Sequence, residues 1–271
     1  MSVQAEPLRL TIIGAAGRMG LELARALPES KEFRIHGAVV SPGAAQLDRD
    51  LGELAGVRAS GVRTTSNLAK AIDGCDVVME FARATSTLEN LAACRAARKP
   101  FIIGTSGLHA DFERKFDEAA RDIPLLLATN ASLGATLLFE LVREAATKLP
   151  KRFEVEIIEA HDNQKEDAPS GTAMNLGRLV ASIRGQDFAK VAVTGSRAGK
   201  RREGDIGYAV IRAGGIVDEH TVLFVDPGEH LALTHRATDY DIFVQGSLEA
   251  ARWLAPQPPG RYRMRDVIGF K

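Results

Sequence analysis

The sequence predicts an α/β protein in which a doubly wound parallel sheet precedes a second, α+β domain with an open mixed sheet. Strands that are almost continuously apolar alternate with helices over the first half of the chain, as in a parallel sheet covered on both faces. A glycine-rich turn follows the first strand directly, which makes the sheet Rossmann-like. Beyond about residue 135, strand candidates follow one another closely, and this spacing favours antiparallel neighbours.

The length and composition suit two modest domains with a real core. The chain has 271 residues, of which 45% are hydrophobic. We expect a dinucleotide-binding domain over residues 1–134, completed by residues 241–271. Residues 135–240 are then expected to form a domain for substrate binding and oligomerisation.

The charge balance argues against several classes of partner. The 35 basic and 35 acidic residues cancel, so we expect neither a nucleic acid nor a membrane as partner. Cys75 and Cys94 follow no redox or metal-ligand spacing, and we expect buried thiols in a cytoplasmic protein without a metal. The first seven residues contain no apolar signal core.

The first strand and its glycine turn predict a cofactor site. Residues 8–13 are an apolar strand, Gly14-Ala-Ala-Gly-Arg-Met-Gly20 follows, and a helix is predicted over residues 21–26. In such a turn the first glycine allows the tight bend, the second lets the backbone approach a pyrophosphate, and the third lets helix and strand pack closely. Glycines needed only for packing are the alternative.

The identity of the nucleotide stays open between NADPH and NADH. A second strand is predicted over residues 33–40, and its end should face the adenosine ribose. Ser41-Pro42 follows it, where an acidic residue would favour NAD and an arginine would favour NADP. Arg18 could still reach a 2′-phosphate.

Further strands are predicted over residues 75–81, 100–107 and 124–130, with a helix over residues 85–98. Ligands bind beyond the carboxyl ends of such strands. The candidate contacts on the nicotinamide side are therefore Arg83, Gly104 and Thr105, and each could instead be an ordinary turn residue. Phe81, at the end of the strand over residues 75–81, is a further predicted cofactor-binding residue.

In the second domain, a helix over residues 136–149 is expected to lead into a strand over residues 153–158. Strands over residues 206–212, 220–225 and 231–236 are predicted to be antiparallel neighbours. Residues 194–204 read as an exposed loop. A final helix over residues 243–254 is expected to pack on the first domain, with Trp253 in its core.

The segment from Glu159 to Ala173 carries the strongest indication of chemistry. It reads as a strand end, a polar loop with His161 and Lys165, and a helix from Gly171 to about residue 182, capped by Ser170. Because the first N–H groups of a helix bind anions, this segment predicts a pocket for a small carboxylate. An ordinary capped loop is the alternative.

The chain resembles the dihydrodipicolinate reductase family, now called 4-hydroxy-tetrahydrodipicolinate reductase, over nearly its whole length. The matching segments include the glycine turn, Gly104-Thr-Ser-Gly107, Arg212-Ala-Gly-Gly-Ile-Val-Asp-Glu-His220 and Met264-Arg-Asp-Val267. The most specific match is Lys165-Glu-Asp-Ala-Pro-Ser-Gly-Thr-Ala173.

The resemblance implies a tetramer in which NADH or NADPH reduces a cyclic unsaturated imine with two carboxylates, in the diaminopimelate route to lysine. Water is lost from the 4-hydroxy compound first. By position, His161 and Lys165 match the family's catalytic pair. The resemblance also implies that Gly171 and Thr172 hold a substrate carboxylate and that the cofactor contacts include Gly14, Gly17, Arg18, Met19, Gly104 and Thr105. We further expect Ser170 among the substrate-binding residues and Gly20, Phe81 and Arg83 among the cofactor-binding residues.

Several positions depart from the family pattern. Asp162 replaces a histidine that faces the substrate, and an acidic residue there would repel a dicarboxylate unless it points away. Tyr240 replaces an arginine, and Glu80-Phe-Ala82 and Asn130-Ala-Ser132 also differ. These changes raise an alternative, a related reductase that acts on a different cyclic imine or enamine acid. A catalytically silent NAD(P)H sensor is a third hypothesis, and the presence of His161 and Lys165 counts against it.

Overall fold

The computed structural model describes residues 6–108, 112–195 and 198–270, and the chain divides into two compact units. The first unit ends at Ser132 and resumes at Asp241, and the second unit is Leu133–Tyr240. Two predictions fall partly outside the described residues. These are the exposed loop over residues 194–204, of which residues 196 and 197 are not described, and the N-terminal segment without a signal core, of which the first five residues are not described.

The described strands lie in both units. In chain order they are β1 (Leu8–Ile13), β2 (Phe33–Val39), β3 (Thr64–Thr65), β4 (Val77–Glu80), β5 (Phe101–Ile103), β6 (Pro124–Leu127), β7 (Glu154–His161), β8 (Ala192–Val193), β9 (Ile206–Arg212), β10 (Asp218–Asp226), β11 (Glu229–Ala237) and β12 (Gly260–Arg263).

The described helices range from single turns to sixteen residues. They are α1 (Arg18–Ala26), α2 (Leu51–Leu54), α3 (Leu68–Ile72), α4 (Ala84–Ala96), α5 (Phe112–Ala119), α6 (Leu133–Lys148), α7 (Gly171–Arg184), α8 (Phe188–Val191), α9 (Asp241–Leu254) and α10 (Met264–Val267). Of the helices in the described chain, none has both the length and the apolarity that a membrane crossing requires.

The first unit contains the predicted parallel sheet. Its described strands have the order β12-β6-β5-β4-β1-β2-β3, and every neighbouring pair is parallel. The central strands are apolar because helices cover both faces; Leu10, Val77 and Phe101 are fully buried. β1 lies between β2 and β4, so the order of the strands reverses there, and ligands bind at such a switch point.

The second unit contains the predicted mixed sheet, with the order β11-β10-β7-β9-β8 among the described residues. The antiparallel prediction is right for β10 and β11 and wrong for β9, which pairs in parallel with β7. The reason is the connection over residues 213–217, which crosses the end of β7. There the Ala213 N–H donates to the His161 carbonyl, and the Asn163 N–H donates to the Gly214 carbonyl.

Two boundaries matter for the site. β7 continues to His161, three residues beyond its predicted end, because pairing with β9 and β10 satisfies its backbone. His161 is therefore the last strand residue and does not lie in the loop. α7 begins at Gly171 as predicted and ends at Arg184, where Gly185 closes it in the left-handed conformation with φ of 68°.

Candidate active site

The glycine turn of the first unit cannot accept side chains at two of its positions. Gly14 has φ of 81°, and a Cβ there would lie 2.3 Å from the carbonyl oxygen of Phe81 at the end of β4. A Cβ on Gly20 would lie 2.4 Å from the carbonyl oxygen of Ala15. The first and third glycines therefore serve the tight bend and the close helix–strand packing that the sequence predicts.

The N-terminus of α1 suits a negatively charged group. Its N-cap residue, Gly17, supplies no side-chain hydrogen bond, and the first turn contains no acidic residue. Helix N–H groups without intrahelical partners attract anions, and Arg18, exposed in the first turn, adds a positive charge. This cradle, at the switch point of the sheet, fits the pyrophosphate of a dinucleotide.

The neighbouring strand ends bring together the predicted nicotinamide-side residues. A Cβ on Gly104 would lie 2.4 Å from a ring carbon of Phe81, so the ring lies over the backbone of Gly104. Thr105 is buried, and its hydroxyl donates to a carboxylate oxygen of Glu80 over 3.0 Å. Arg83 is exposed at the N-cap of α4. Their contacts with a cofactor stay a prediction.

Glu80, which departs from the family pattern, has a structural role in this unit. It is fully buried at the end of β4. Thr87 Oγ1 donates to it over 2.9 Å and Asn90 Nδ2 over 2.5 Å. Burial raises the pKa of Glu80, although these donors and Thr105 oppose the rise. Its side chain therefore ties the ends of β4 and β5 to α4.

A Gly14→Ala substitution is expected to destabilise the protein and weaken NADH binding. A left-handed φ costs a non-glycine residue about 1–2 kcal/mol, and the overlap with the Phe81 carbonyl adds to this cost. Gly43→Ala is the matched control, because Gly43 has a similar φ of 76° and nothing within 4 Å of its Cβ position. Urea unfolding would compare the two variants. Equal losses of unfolding free energy would contradict the close approach at Gly14.

In the second unit, His161 and four other residues form a closed ring of contacts. His161 Nδ1 lies 2.6 Å from Glu159 Oε2, and His161 Nε2 lies 3.5 Å from Asp218 Oδ2. Asp218 Oδ1 lies 2.9 Å from His220 Nδ1, and His220 Nε2 lies 2.9 Å from Ser170 Oγ. The Ser170 N–H closes the ring by donating to Glu159 Oε1 over 3.0 Å. We call these five residues the His161 ring.

Alternation along two paired strands produces this arrangement. Glu159 and His161 are two residues apart on β7 and therefore point to the same face, as do Asp218 and His220 on β10. The two strands are antiparallel, with His220 opposite Glu159. Four polar side chains thus meet on the sheet face that also carries the buried Val222 and Phe224.

The ring favours the charged form of His161. Burial alone would lower its pKa, but contacts with Asp218 and Glu159 outweigh burial and raise the pKa above its ordinary value. The same contacts act on the two acids. The pKa of Asp218 is lowered by His161 and His220 against the effect of burial. The pKa of Glu159 is lowered to about 2, because His161, Arg212 and the Ser170 N–H outweigh burial.

Arg212 and Lys165 join the ring from its outer side. Arg212, the last residue of β9, donates to both oxygens of Glu159 over 2.7 Å each, and also to the Asp167 carbonyl over 2.6 Å. Lys165 Nζ donates to Asp167 Oδ1 over 2.7 Å. The predicted pair of His161 and Lys165 is therefore connected through Glu159, Arg212 and Asp167.

Asp162 has a local structural role. Its carboxylate accepts the N–H of Gln164 over 2.8 Å, which is the geometry of an Asx turn. The Lys165 N–H reaches the Asp162 carbonyl over 3.4 Å. Asp162 therefore shapes the loop that leads to Lys165.

The start of α7 has the local features on which the predicted anion site depends. Ser170 is the N-cap, and its hydroxyl accepts the N–H of Ala173 over 3.1 Å. The N–H groups of Gly171 and Thr172 belong to the first turn, which the helix's own carbonyls cannot reach. No acidic residue lies in that turn, and a Cβ on Gly171 would meet nothing within 4 Å.

The sequence alone missed four members of this cluster, namely Glu159, Arg212, Asp218 and His220. One signal was available for two pairs of residues. Charged or histidine side chains at alternate positions of an apolar strand, as in Glu159–His161 and Asp218–His220, are costly to bury without partners. Which strands would become neighbours was not readable, and Arg212 depends entirely on that pairing.

Comparison with known proteins identifies relatives for both units. The family model "Dihydrodipicolinate reductase, N-terminus" matches residues 8–131, and "Dihydrodipicolinate reductase, C-terminus" matches residues 134–268. A 4-hydroxy-tetrahydrodipicolinate reductase from Nitrosomonas europaea is 40% identical over 267 residues, covering 98% of this chain and 99% of the relative. One from Geobacter metallireducens is 39% identical over 266 residues, covering 97% and 100%.

The fold is also that of a solved relative. A dipicolinate-bound dihydrodipicolinate reductase from Paenisporosarcina superposes with a TM-score of 0.76 at 24% identity, covering 97% of this chain and 99% of that one. The two family models together span both units, and the identity to the reductases extends over nearly the full length. This chain belongs to the dihydrodipicolinate reductase family.

Proposed function

We propose that this protein reduces 4-hydroxy-tetrahydrodipicolinate to tetrahydrodipicolinate with NADH or NADPH, as a step of the diaminopimelate route to lysine. The observation that carries the proposal is the His161 ring, which joins the His161 imidazole to the N-terminus of α7. Family membership supports the same chemistry.

The cradle of the first unit would hold the nicotinamide cofactor. Gly14, Gly17, Arg18, Met19 and Gly20 would surround the pyrophosphate, because they form the turn and the first helical turn of α1. The nicotinamide-side contacts are proposed to come from Phe81, Arg83, Gly104 and Thr105. When bound, the reduced cofactor supplies a hydride.

His161 is proposed to donate the proton. Its Nδ1–H is held by Glu159 over 2.6 Å, so the proton available for transfer is on Nε2. The Nε2 atom lies 3.5 Å from Asp218 Oδ2, which is too long for a strong hydrogen bond. General-acid catalysis needs a proton that is held in place and is still transferable.

Lys165 and the start of α7 are proposed to hold the substrate. The Lys165 ammonium would stabilise the negative charge that builds at the ring in the transition state. A substrate carboxylate would accept the N–H groups of Gly171 and Thr172 beside Ser170. Overall, substrate, NAD(P)H and one proton give product, NAD(P)⁺ and water.

The decisive experiment is a steady-state assay with freshly generated 4-hydroxy-tetrahydrodipicolinate, in which oxidation of NADH and of NADPH is followed separately. A kcat in the ordinary enzyme range of about 1–10³ s⁻¹ would support the function and rank the cofactors. Tight NADH binding without turnover would refute the proposed substrate.

A second candidate is a related reductase for a different cyclic imine or enamine acid. It is favoured by Asp162, whose charge lies near Arg212: Glu159 is the main cause of the raised pKa of that guanidinium, and Asp167 and Asp162 add to the rise. A negative charge there disfavours a dicarboxylate. Turnover of pyrroline or piperideine carboxylates, with none of the lysine-pathway substrate, would favour this candidate.

We propose that the protein is a homotetramer that assembles through the second unit. One sheet face carries the buried Val222 and Phe224. Neighbours along the strands alternate to the opposite face, which includes Ile158, Leu223 and Ile211. Ile211 is 45% exposed in the single chain, and exposed apolar side chains grouped on one sheet face are typical of an interface.

An Ile211→Asp substitution is expected to dissociate the assembly, because it buries a charge in an apolar interface. Size-exclusion chromatography with light scattering would measure the mass of each species. Leu137→Asp is the control, because Leu137 is similarly exposed, at 42%, and lies on α6 and not on a strand. A tetramer that persists in Ile211→Asp would place the interface elsewhere.

We also propose a cytoplasmic location and no nucleic-acid or membrane partner. The 35 basic and 35 acidic residues give no net field for a polyanion or an anionic membrane surface. The two cysteines, Cys75 and Cys94, are buried free thiols, which suits a reducing compartment.

A further inference from the structure

We propose that His161, Asp218 and His220 form a binding site for one Zn²⁺ ion, and that zinc bound there inhibits the enzyme. The three side chains are buried, and each offers a ligand atom that lies within 4.8 Å of the other two. The inhibition rests on the proposed function, because it requires His161 Nε2 to carry the transferable proton. The binding of zinc does not depend on that role.

The separation between His161 and Asp218 suits two ligands of one ion. His161 Nε2 and Asp218 Oδ2 are 3.5 Å apart. A strong charge-assisted hydrogen bond would be about 2.7–2.9 Å long. Two ligands of a tetrahedral zinc ion, with bonds of about 2.0–2.1 Å, lie about 3.3–3.4 Å apart. The separation between His161 Nε2 and Asp218 Oδ2 therefore fits two ligands of one zinc ion better than it fits a strong hydrogen bond.

The histidine ring nitrogens that would not bind zinc already contact the kinds of group that hold such nitrogens in zinc sites. A ligating histidine usually donates its other ring N–H to a carboxylate or another fixed acceptor. His161 Nδ1 lies 2.6 Å from Glu159, which Arg212 and the Ser170 N–H hold in place. His220 Nε2 lies 2.9 Å from Ser170 Oγ, so Nδ1 of His220 would be its zinc ligand, and zinc would replace the 2.9 Å contact of that atom with Asp218 Oδ1.

The donor set and the charge favour zinc over a hard cation. Imidazole nitrogens with one carboxylate suit zinc, whereas magnesium and calcium prefer oxygen ligands. Arg212 already balances Glu159, so Asp218 is the carboxylate that faces the ion. His235 on β11 borders the site, with Nδ1 3.9 Å from Asp218 Oδ1, and adds a further imidazole.

The site can be tested without any catalytic assay. Zinc affinity would be measured by competition with a chromophoric chelator, and cobalt would report the ligands through its visible absorption. We expect one zinc per chain, and at least tenfold weaker binding in Asp218→Asn, which preserves the shape of the side chain. His161→Gln should abolish the cobalt absorption of the site.

Two neighbouring residues supply matched controls. Glu219→Gln changes an acid next to Asp218 on β10, and His230→Gln removes an exposed histidine from β11. Both controls should bind zinc as the unaltered protein does. Circular dichroism would establish that each variant is folded. The proposed zinc site would be refuted if Asp218→Asn and His161→Gln both bound zinc with the affinity of the unaltered protein.

The loss of enzyme activity is then compared with the fraction of chains that have zinc bound. Loss of turnover should follow the fraction of chains with zinc bound, and a chelator should restore the activity. Zinc that binds at these residues without inhibiting would overturn the inhibitory half of the proposal and count against His161 as the proton donor. A protein inactive on the proposed substrate would refute the proposed function, while the cobalt spectrum would still decide the site.

Discussion

Lys165→Ala is expected to lower kcat/KM by about 10²–10⁴-fold, as for other losses of transition-state charge stabilisation or proton transfer, while NADH affinity stays nearly unchanged. The Lys165 ammonium lies in the loop between β7 and α7, where it donates to Asp167 over 2.7 Å. The glycine cradle belongs to the other unit of the chain. Stopped-flow kinetics would measure turnover, and calorimetry would measure NADH binding.

A similar ion pair elsewhere in the unit provides the control. Lys190 Nζ on α8 lies 3.6 Å from Oδ2 of Asp187, the N-cap residue of that helix, and both side chains are exposed. Lys190→Ala should therefore retain full activity. Lys165→Arg keeps the charge and changes its geometry, so partial activity in this variant would identify charge as the main contribution. Parallel losses of turnover and NADH affinity in Lys165→Ala would contradict a role at the substrate.

The features that could be predicted from the sequence are those with local causes. The apolar runs of β1 and β4, the glycine turn and the Ser170 cap each follow from the residues within one segment. The end of α7 was predicted two residues early, although Gly185 marks it. β12 was missed because Gly260–Arg263 is a polar edge strand without an apolar run.

The candidate site depends on causes that are not local. Arg212 reaches Glu159 only because β9 lies beside β7 with Arg212 level with His161. Asp218 and His220 reach His161 only because β10 lies on the other side of β7. Pairing of strands distant in the chain follows from the whole core and not from one segment, so the sequence motif identified His161 and Lys165 without the carboxylates that control them.

His161→Gln is expected to lower kcat/KM by about 10²–10⁴-fold and to remove the decline of activity at high pH. In the unaltered protein, Asp218 and Glu159 raise the pKa of His161, so the imidazole stays protonated to a higher pH than a free histidine. Activity that needs this proton is full below the pKa of His161 and falls as pH rises through it. Glutamine has no such proton to lose.

Asp218→Asn tests the same assignment without removing the imidazole. It deletes one of the two carboxylates that favour the imidazolium, so the pKa of His161 should fall and the decline of kcat/KM should move to lower pH. Glu219→Gln should leave the profile in place, because Glu219 alternates to the other face of β10 from Asp218 and pairs with Arg236. A profile that is unchanged in Asp218→Asn would mean that the limiting ionisation belongs to a group other than His161.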